Sequence, residues 1–405
     1  MTRKIDKPIA IILMTMLLDA MGVGIMIPVL PDLLVSVLPG STIAEATLWG
    51  GILATIFAVM QFLFSPLLGV ASDQYGRKPV LMIALSVMVI YYLIMAVAQT
   101  MWLLILGRIL GGMSAATHAT ASAYMADISK PHEKAARFGL LGAAFGIGFV
   151  LGPVIGGLLG EWGPRAPFYA AAIIAAINTL CCWIWLPESV TDAIRQKFTW
   201  TRANPLGAFV TISKFDRLGR LILVLGLFLI GVSVYAAIWP FFTVERFDWS
   251  PGMIGVSLTL YGVCFAVIQG TFVKPAIHYF GERRVVVLGF IAEIFALLVV
   301  TLIPYGWLML AFTPMAALGV IAQPPLQAIM SKAVGDQNQG TLQGVIASLN
   351  AIAMIITPIS MSWLFYRFTT QDAPFYFPSA PFLVSALLVA IALALFTRSQ
   401  RKKDR

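Results

Sequence analysis

Charge is what this chain of 405 residues has least of: 11% of it is Asp, Glu, Lys or Arg, against 60% hydrophobic. Soluble domains carry about 25% charged residues, and a globule of this composition could not hide its apolar surface. A soluble fold is excluded. Cysteine and histidine are equally scarce, with three of each. Cys181, Cys182 and Cys264 all lie in apolar stretches, without CxxC spacing or a histidine cluster, so no zinc site can be built from them and they read as inert small hydrophobes. HExxH, GxSxG and a serine–histidine pair at usable spacing are lacking too, which argues against an intramembrane enzyme. An ATP-binding motif is likewise absent, so any uphill work must draw on an ion gradient.

What the chain has is a succession of apolar runs, each near the roughly 20 residues needed to cross hydrocarbon. They fall at about 9–30, 47–70, 79–99, 102–124, 138–160, 166–186, 221–242, 251–273, 285–304, 307–330, 341–365 and 380–397. Spanning segments must satisfy their own backbone groups, and the short alternating strands of a barrel are missing, so all twelve read as helices. The first run follows Arg3, Lys4 and Lys7 and superficially resembles a secretory signal. Asp19 interrupts it, no small-residue cleavage site follows, and the apolar character resumes through Leu30, so it reads as the first span.

If the N-terminus is cytoplasmic, all but four of the 27 Lys and Arg residues fall on that side. The exceptions are Arg165, Arg246 and Arg367 on the opposite face and Arg108 within a span. By the positive-inside rule both termini are expected in the cytoplasm. The formal charge of +9 is then a topogenic signal that also meets anionic headgroups, not a nucleic-acid surface.

The longest polar interval runs from Glu188 to Arg220 and includes Asp192, Arg195, Lys197, Arg202, Lys214 and Asp216. It divides the chain into an expected bundle of six helices over 1–187, a cytoplasmic loop over 188–220 and a second six-helix bundle over 221–405. Gly76 and Gly281, Gly139 and Gly344, and Pro153 and Pro358 share one sequence offset. Such matches in corresponding loops and spans predict a parallel repeat, the kind that builds transporters around a midplane cavity.

Between spans two and three lies Gly69-Val70-Ala71-Ser72-Asp73-Gln74-Tyr75-Gly76-Arg77-Lys78-Pro79-Val80. Gly76 permits an unusual backbone angle, Pro79 suits the start of a helix, and Asp73 can meet a cation or a helix N-terminus. Such a turn can latch helices in one state; the plainer reading is a basic topogenic loop. It resembles the loop signature of the major facilitator superfamily. Leu106-Gly107-Arg108-Ile109-Leu110-Gly111-Gly112 in span four is similar to a second signature of that superfamily. In span five, Gly148-Phe149-Val150-Leu151-Gly152-Pro153-Val154-Ile155-Gly156-Gly157 resembles the signature of its drug/proton antiporters, with Gly152, Pro153, Gly156 and Gly157 as the marking residues.

Within that superfamily the chain most resembles the tetracycline/proton antiporters, over nearly its whole length. The resemblance is carried by Leu17-Leu18-Asp19-Ala20-Met21-Gly22 with Pro28 and Pro31, by Met60-Gln61, by Gly289-Phe290-Ile291-Ala292 and by Gln339-Gly340-Thr341-Leu342-Gln343-Gly344. It implies a functional intramembrane acid at Asp19, a drug path lined by Gln61 and Gln269, and a conformational switch formed by Gly69, Asp73, Gly76, Arg77 and Lys78. It also implies a bacterial inner-membrane location. The pattern departs at three places: Tyr91 and Glu293 each stand where an aspartate is expected, and Phe265 where a histidine is expected. Tyr91 and Phe265 bear on whether tetracycline itself is the substrate. No cofactor is expected, although the resemblance implies that tetracycline would travel as a complex with a divalent metal, magnesium.

Read from the residues alone, Asp19, Arg108 and Glu293 are the ionisable groups deepest in apolar spans. Each costs roughly 2.5–3.5 kcal/mol there on insertion scales, so each should face a cavity or a partner. A carboxyl in such a place is costly ionised and cheap protonated, which can tie proton binding to transport. Structural hydrogen bonding is the bland alternative for both acids, and helix packing for Arg108. His118 lies about 80° around an ideal helix from Arg108 and reads first as a packing residue. Gln61, Asn178, Gln269, Gln323, Gln327 and Asn350 could orient a ligand or glue helices. Tyr235, Trp239 and Phe265 could stack on a planar drug or simply pack.

The resulting expectation is an all-α membrane protein of twelve transmembrane helices in two bundles, the major facilitator fold, exporting a small amphipathic drug in exchange for protons. A proton-coupled importer of a sugar or other metabolite uses the same fold and stays open. A receptor or scaffold would not need intramembrane carboxylates. The expected partners are a small-molecule drug, protons and the bilayer, with no nucleic acid and no obligate protein partner.

Overall fold

In the computed structural model, residues 7–115, 117–192, 195–197, 199, 204, 218–334 and 338–401 are described. The whole interval 205–217, with Lys214 and Asp216, lies outside them, as do Arg202, Arg3, Lys4 and the last four residues. Every regular element among the described residues is a helix. Eleven of these helices are long and apolar enough to cross a membrane. They are α1 (Lys7–Val37), α2 (Ile43–Tyr75), α3 (Arg77–Val97), α5 (Lys134–Gly160), α6 (Ala166–Trp185) and α7 (Gly219–Phe247). Beyond these run α8 (Pro251–Phe280), α9 (Glu282–Leu302), α10 (Gly306–Val334), α11 (Gln339–Thr369) and α12, which starts at Ala380. The twelfth span, α4, comes in two helical pieces, Met101–Ser114 and Thr117–Asp127, each too short alone. The expected twelve-helix fold is the one observed. Several helices overrun their apolar runs: α2 continues to Tyr75 and α11 to Thr369, because backbone pairing persists into the polar zone.

The chain clusters into two compact units. One contains Met1–Gly40, Ile56–Pro205 and Ser250–Thr259; the other contains Ser41–Thr55, Leu206–Trp249 and Leu260–Arg405. Within the first, α5 packs closely along α1. A Cβ at Gly152 would come within 2.6 Å of the Met21 carbonyl oxygen, and one at Gly148 or Gly156 would collide with the carbonyls of Leu17 and Ile25. Three glycines at four-residue spacing therefore form a groove for the backbone of α1, the close approach on which intramembrane packing depends. Farther along α5, Gly157 and Gly160 meet Pro251 at the start of α8. A polar tie joins α1 to α6, where the Thr15 hydroxyl and the Asn178 amide lie 3.2–3.3 Å apart. Asn178 thus serves as helix glue.

In the second unit Gly51 of α2 abuts Ser362 and the Pro358 carbonyl of α11, and Thr55 donates to the Ile355 carbonyl at 3.0 Å. In the core among α7, α9 and α12, Phe290 stacks on Phe228 and meets Phe396 edge-on. The sequence repeat has a conformational counterpart. Gly76 precedes α3 with φ 108° and ψ 151°, and Gly281 precedes α9 with φ 77° and ψ 154°.

Candidate functional site

Three places gather the polar side chains of the spans. The first surrounds Arg108 on α4. It is only 2% exposed, its guanidinium lies 5.9 Å from the centre of the Phe57 ring on α2, and its Nε has no hydrogen-bond partner among the described residues. Tyr91 packs over Gly111, one turn from Arg108, and directs its hydroxyl to the Met26 sulfur at 3.3 Å. Tyr92 stands within electrostatic reach of both Arg108 and Asp19, and its hydroxyl presses against Gly22 on α1. Asp19 is half-buried. No ion pair joins it to Arg108 among the described residues; Tyr92 is what the two groups share. Tyr91, where an aspartate was expected, fills the site with a ring rather than a second acid. Gln61 lies one turn beyond Phe57 on α2 and is half-buried.

The second place is in α9 and α10. Glu293 is 1% exposed, its Oε1 is without a partner among the described residues, and its Oε2 lies where a side chain on Gly319 would have to go. Gly319 belongs to a 3-10 turn, Ala317–Ala322, set into α10. Pro324 and Pro325 follow that turn and lack N–H groups, so the carbonyls of Val320 and Ile321 lose their ordinary helical donors. The Val320 carbonyl instead takes the Gln323 amide and the Gln269 side chain, whose Nε2 stands 3.4 Å away. Gln269 is itself in a π turn, Ile268–Phe272, of α8. Tyr261 packs against the same turn of α10, Tyr235 stacks on Tyr261 with centroids 6.0 Å apart, and the Tyr235 hydroxyl is buried and unpartnered. Irregular turns inside spanning helices mark functional sites or hinges, and here two of them meet beside a buried acid.

The remaining expected ligand residues do not converge so clearly. Phe265 is 40% exposed on α8, Gln327 is half-buried on α10, and the Asn350 amide donates to the Ile346 carbonyl of its own helix at 2.8 Å.

The third place is the turn after α2. Arg77 binds Asp73 at 2.6 Å, the Ser72 hydroxyl at 2.6 Å and Asp127 of α4 at 3.0 Å. Lys78 donates to the Trp183 carbonyl at 3.0 Å. Glu188, beyond α6, accepts from the backbone amides of Arg77 and Lys78 at 2.9 and 3.1 Å and so caps α3. A side chain at Gly76 would meet that carboxylate at 2.5 Å. Gly69 has open space around it, so no close approach demands glycine there. Sequence reasoning found Asp73 and Arg77 but missed Asp127 and Glu188 as their partners. The signal for Glu188 was a lone acid just after a span, next to Pro187.

Among the described residues no group of three or more His, Cys, Asp or Glu could hold a metal ion. The sequence model of the Major Facilitator Superfamily matches residues 12–244 and 221–405. The tetracycline resistance protein of class C from Escherichia coli is 37% identical over 89% of this chain and 90% of its own length. The class D protein from Salmonella ordonez is 37% identical over 96% of each. Among solved structures, that of the nucleoside transporter NupG matches with a TM-score of 0.77 at 15% identity, covering 98% of this chain and 99% of that one, a likeness of fold alone.

Proposed function

Since the chain belongs to the major facilitator superfamily, a family of transporters and not of enzymes, we propose that it exports a small amphipathic, tetracycline-like drug from the cytoplasm in exchange for protons. The direction of transport rests on the function for which its relatives are named, resistance to a drug. The coupling rests on one observation: the carboxyl of Glu293 is sealed from solvent with an oxygen that has no hydrogen-bond partner among the described residues. A permanently ionised carboxylate there would be costly, and a carboxyl that takes a proton and gives it up is not.

In this cycle Asp19 and Glu293 take up protons from the periplasmic side and yield them to the cytoplasm as drug enters. Neutral carboxyls let the proton-loaded carrier pass through its closed state. Gln61, Gln269 and Phe265 meet the drug, with Gln327 and Asn350 as further contacts, and Arg108 tunes Asp19 across Tyr92. Asp73, Arg77 and Lys78 govern the exchange between states, and the antiporter signature from Gly152 to Gly157 holds α5 against its neighbours. The protein sits in a bacterial inner membrane with both termini cytoplasmic. A tetracycline substrate would cross as its magnesium complex, as cargo rather than as a resident cofactor.

The test is drug-induced proton release from sealed vesicles. Asp19→Asn is expected to insert normally and to lose the release, because it removes a charge and little volume. Undiminished release would move the coupling to Glu293, which Glu293→Gln then examines in the same assay. Retention in both variants would sink proton exchange through these acids.

A further inference from the structure

One exposed face of the first unit lies beside α4 and has no role in the coupling described above. On α5, Phe145 and Phe149 stand one turn apart with their rings 13° from parallel and 6.4 Å between centroids. They are 37% and 43% exposed. His118 of α4 meets the Phe145 ring edge-on, at 88° and 5.6 Å, and is itself exposed. Its imidazole makes no hydrogen bond among the described residues.

The backbone next to His118 is irregular. The first piece of α4 tightens at Ala115, whose amide is shared between the Gly111 and Gly112 carbonyls at 3.1 and 3.3 Å. The Ser114 hydroxyl returns to Gly111 and the Thr117 hydroxyl to the Ser114 carbonyl, both at 3.0 Å. The regular run of α4 ends at Ser114 and resumes at Thr117. Interrupted helices at membrane depth occur where they are buried in protein or line an aqueous cavity.

Two requirements then meet on one face. An unpartnered imidazole is unfavourable against acyl chains, so the face is wetted rather than lipid-covered. Bare phenyl rings are unfavourable in water. A flat molecule with an aromatic body and a hydrogen-bonding edge satisfies both. We propose that Phe145, Phe149 and His118 seat the aromatic ring system of the transported drug, the phenyl rings stacking on its face and the imidazole bonding its polar edge. This assignment rests on the export reading and narrows the substrate class to planar aromatic compounds with polar edge groups.

The experiment measures tetracycline uptake, with magnesium present, into everted vesicles. Phe145→Leu with Phe149→Leu keeps the apolar bulk and removes the aromatic faces, and is expected to raise KM about tenfold. Phe149→Tyr restores a ring and should restore most of the affinity to Phe149→Leu. His118→Leu, which leaves both rings in place, should raise KM severalfold, and His118→Gln should raise it less. Leu140→Ala, about 140–180° around α5 from the two rings, should leave KM unchanged. Wild-type uptake with an unaltered KM in the double leucine variant and in His118→Leu would overturn the seat while leaving export intact. A wild-type chain that moves no tetracycline against a gradient would remove the export reading and the seat with it.

Discussion

Replacing Gly76 by alanine offers a measurement with its own internal control, because the repeat supplies a second glycine in the same conformation. Gly76 and Gly281 combine positive φ with extended ψ, at 108° and 151° and at 77° and 154°. That region is essentially reserved for glycine, and any other residue there costs about 1–3 kcal/mol. Gly281→Ala should incur that strain alone, since a Cβ at Gly281 meets nothing within 4 Å. Gly76→Ala should incur it too, and in addition thrust a methyl group 2.5 Å from Glu188 Oε2. The displaced carboxylate would release the first amides of α3, a lost cap worth roughly 0.5–2 kcal/mol. With about 2–4 °C per kcal/mol for units of this size, Gly76→Ala should melt a few degrees below Gly281→Ala in the same detergent and at the same heating rate. Adding Glu188→Ala removes the group that clashes, so the double variant should be less destabilised than the sum of the singles. Equal melting shifts for the two glycines, or strict additivity with Glu188→Ala, would refute the argument.

Two further outcomes are expected at the ends of the helices. Arg77→Lys keeps the charge but cannot reach Asp73, Asp127 and Ser72 together; with a charged hydrogen bond worth about 1.5–3 kcal/mol, drug transport per inserted molecule should fall about tenfold, and normal turnover would show that the fork is dispensable. Glu161, just after α5, is held below the usual carboxylate range by hydrogen bonds from the Ser250 side chain and the Gly252 amide, the latter at 2.8 Å. Because its folded value is depressed, the contact is present at neutral pH and is lost as pH falls through that lowered value. Hydrogen exchange at the start of α8, corrected for intrinsic rates, should therefore quicken in acid, and Glu161→Gln should abolish the change; the same acid response in both proteins would exclude Glu161 as its source.

The spans were legible because hydrocarbon leaves the backbone few choices: an apolar run of this length becomes a helix, and the polar breaks between runs become its ends. The turn from Asp73 to Arg77 was legible for a local reason, since residues four apart on a helix meet without help from the rest of the chain. Asp127 and Glu188 were not, because each reaches Arg77 from a distant part of the chain, at separations of 50 and 111 residues. A single sequence carries no signal for such pairings. Glu293 was legible as a buried acid from its position in an apolar run, whereas its neighbour Gly319 was one glycine among 34. The 3-10 turn of α10 did leave a trace in Pro324 and Pro325. The π turn of α8 contains no proline, and its Gln269, Gly270 and Thr271 carry no spacing that sets it apart from ordinary helix.

Three of the irregular places in the spans, in α4, α8 and α10, share one physical feature, which bears on how such a molecule could move. In α4 the hydroxyls of Ser114 and Thr117 take up carbonyls near the interruption. In α8 the Thr271 hydroxyl returns to the Val267 carbonyl at 2.6 Å. In α10 the Gln269 amide serves the Val320 carbonyl that Pro324 cannot. Every one of these helices therefore keeps a point where a side chain supplies or shares the hydrogen bonding of the backbone. Bending at such a point exchanges one partner for another instead of exposing a bare carbonyl to hydrocarbon, which would cost several kcal/mol. Glu293 lies against the turn of α10, and His118 of the aromatic seat follows the break in α4. A change in protonation at Glu293, or a drug lodged beside His118, then acts where the helix is already easiest to deform.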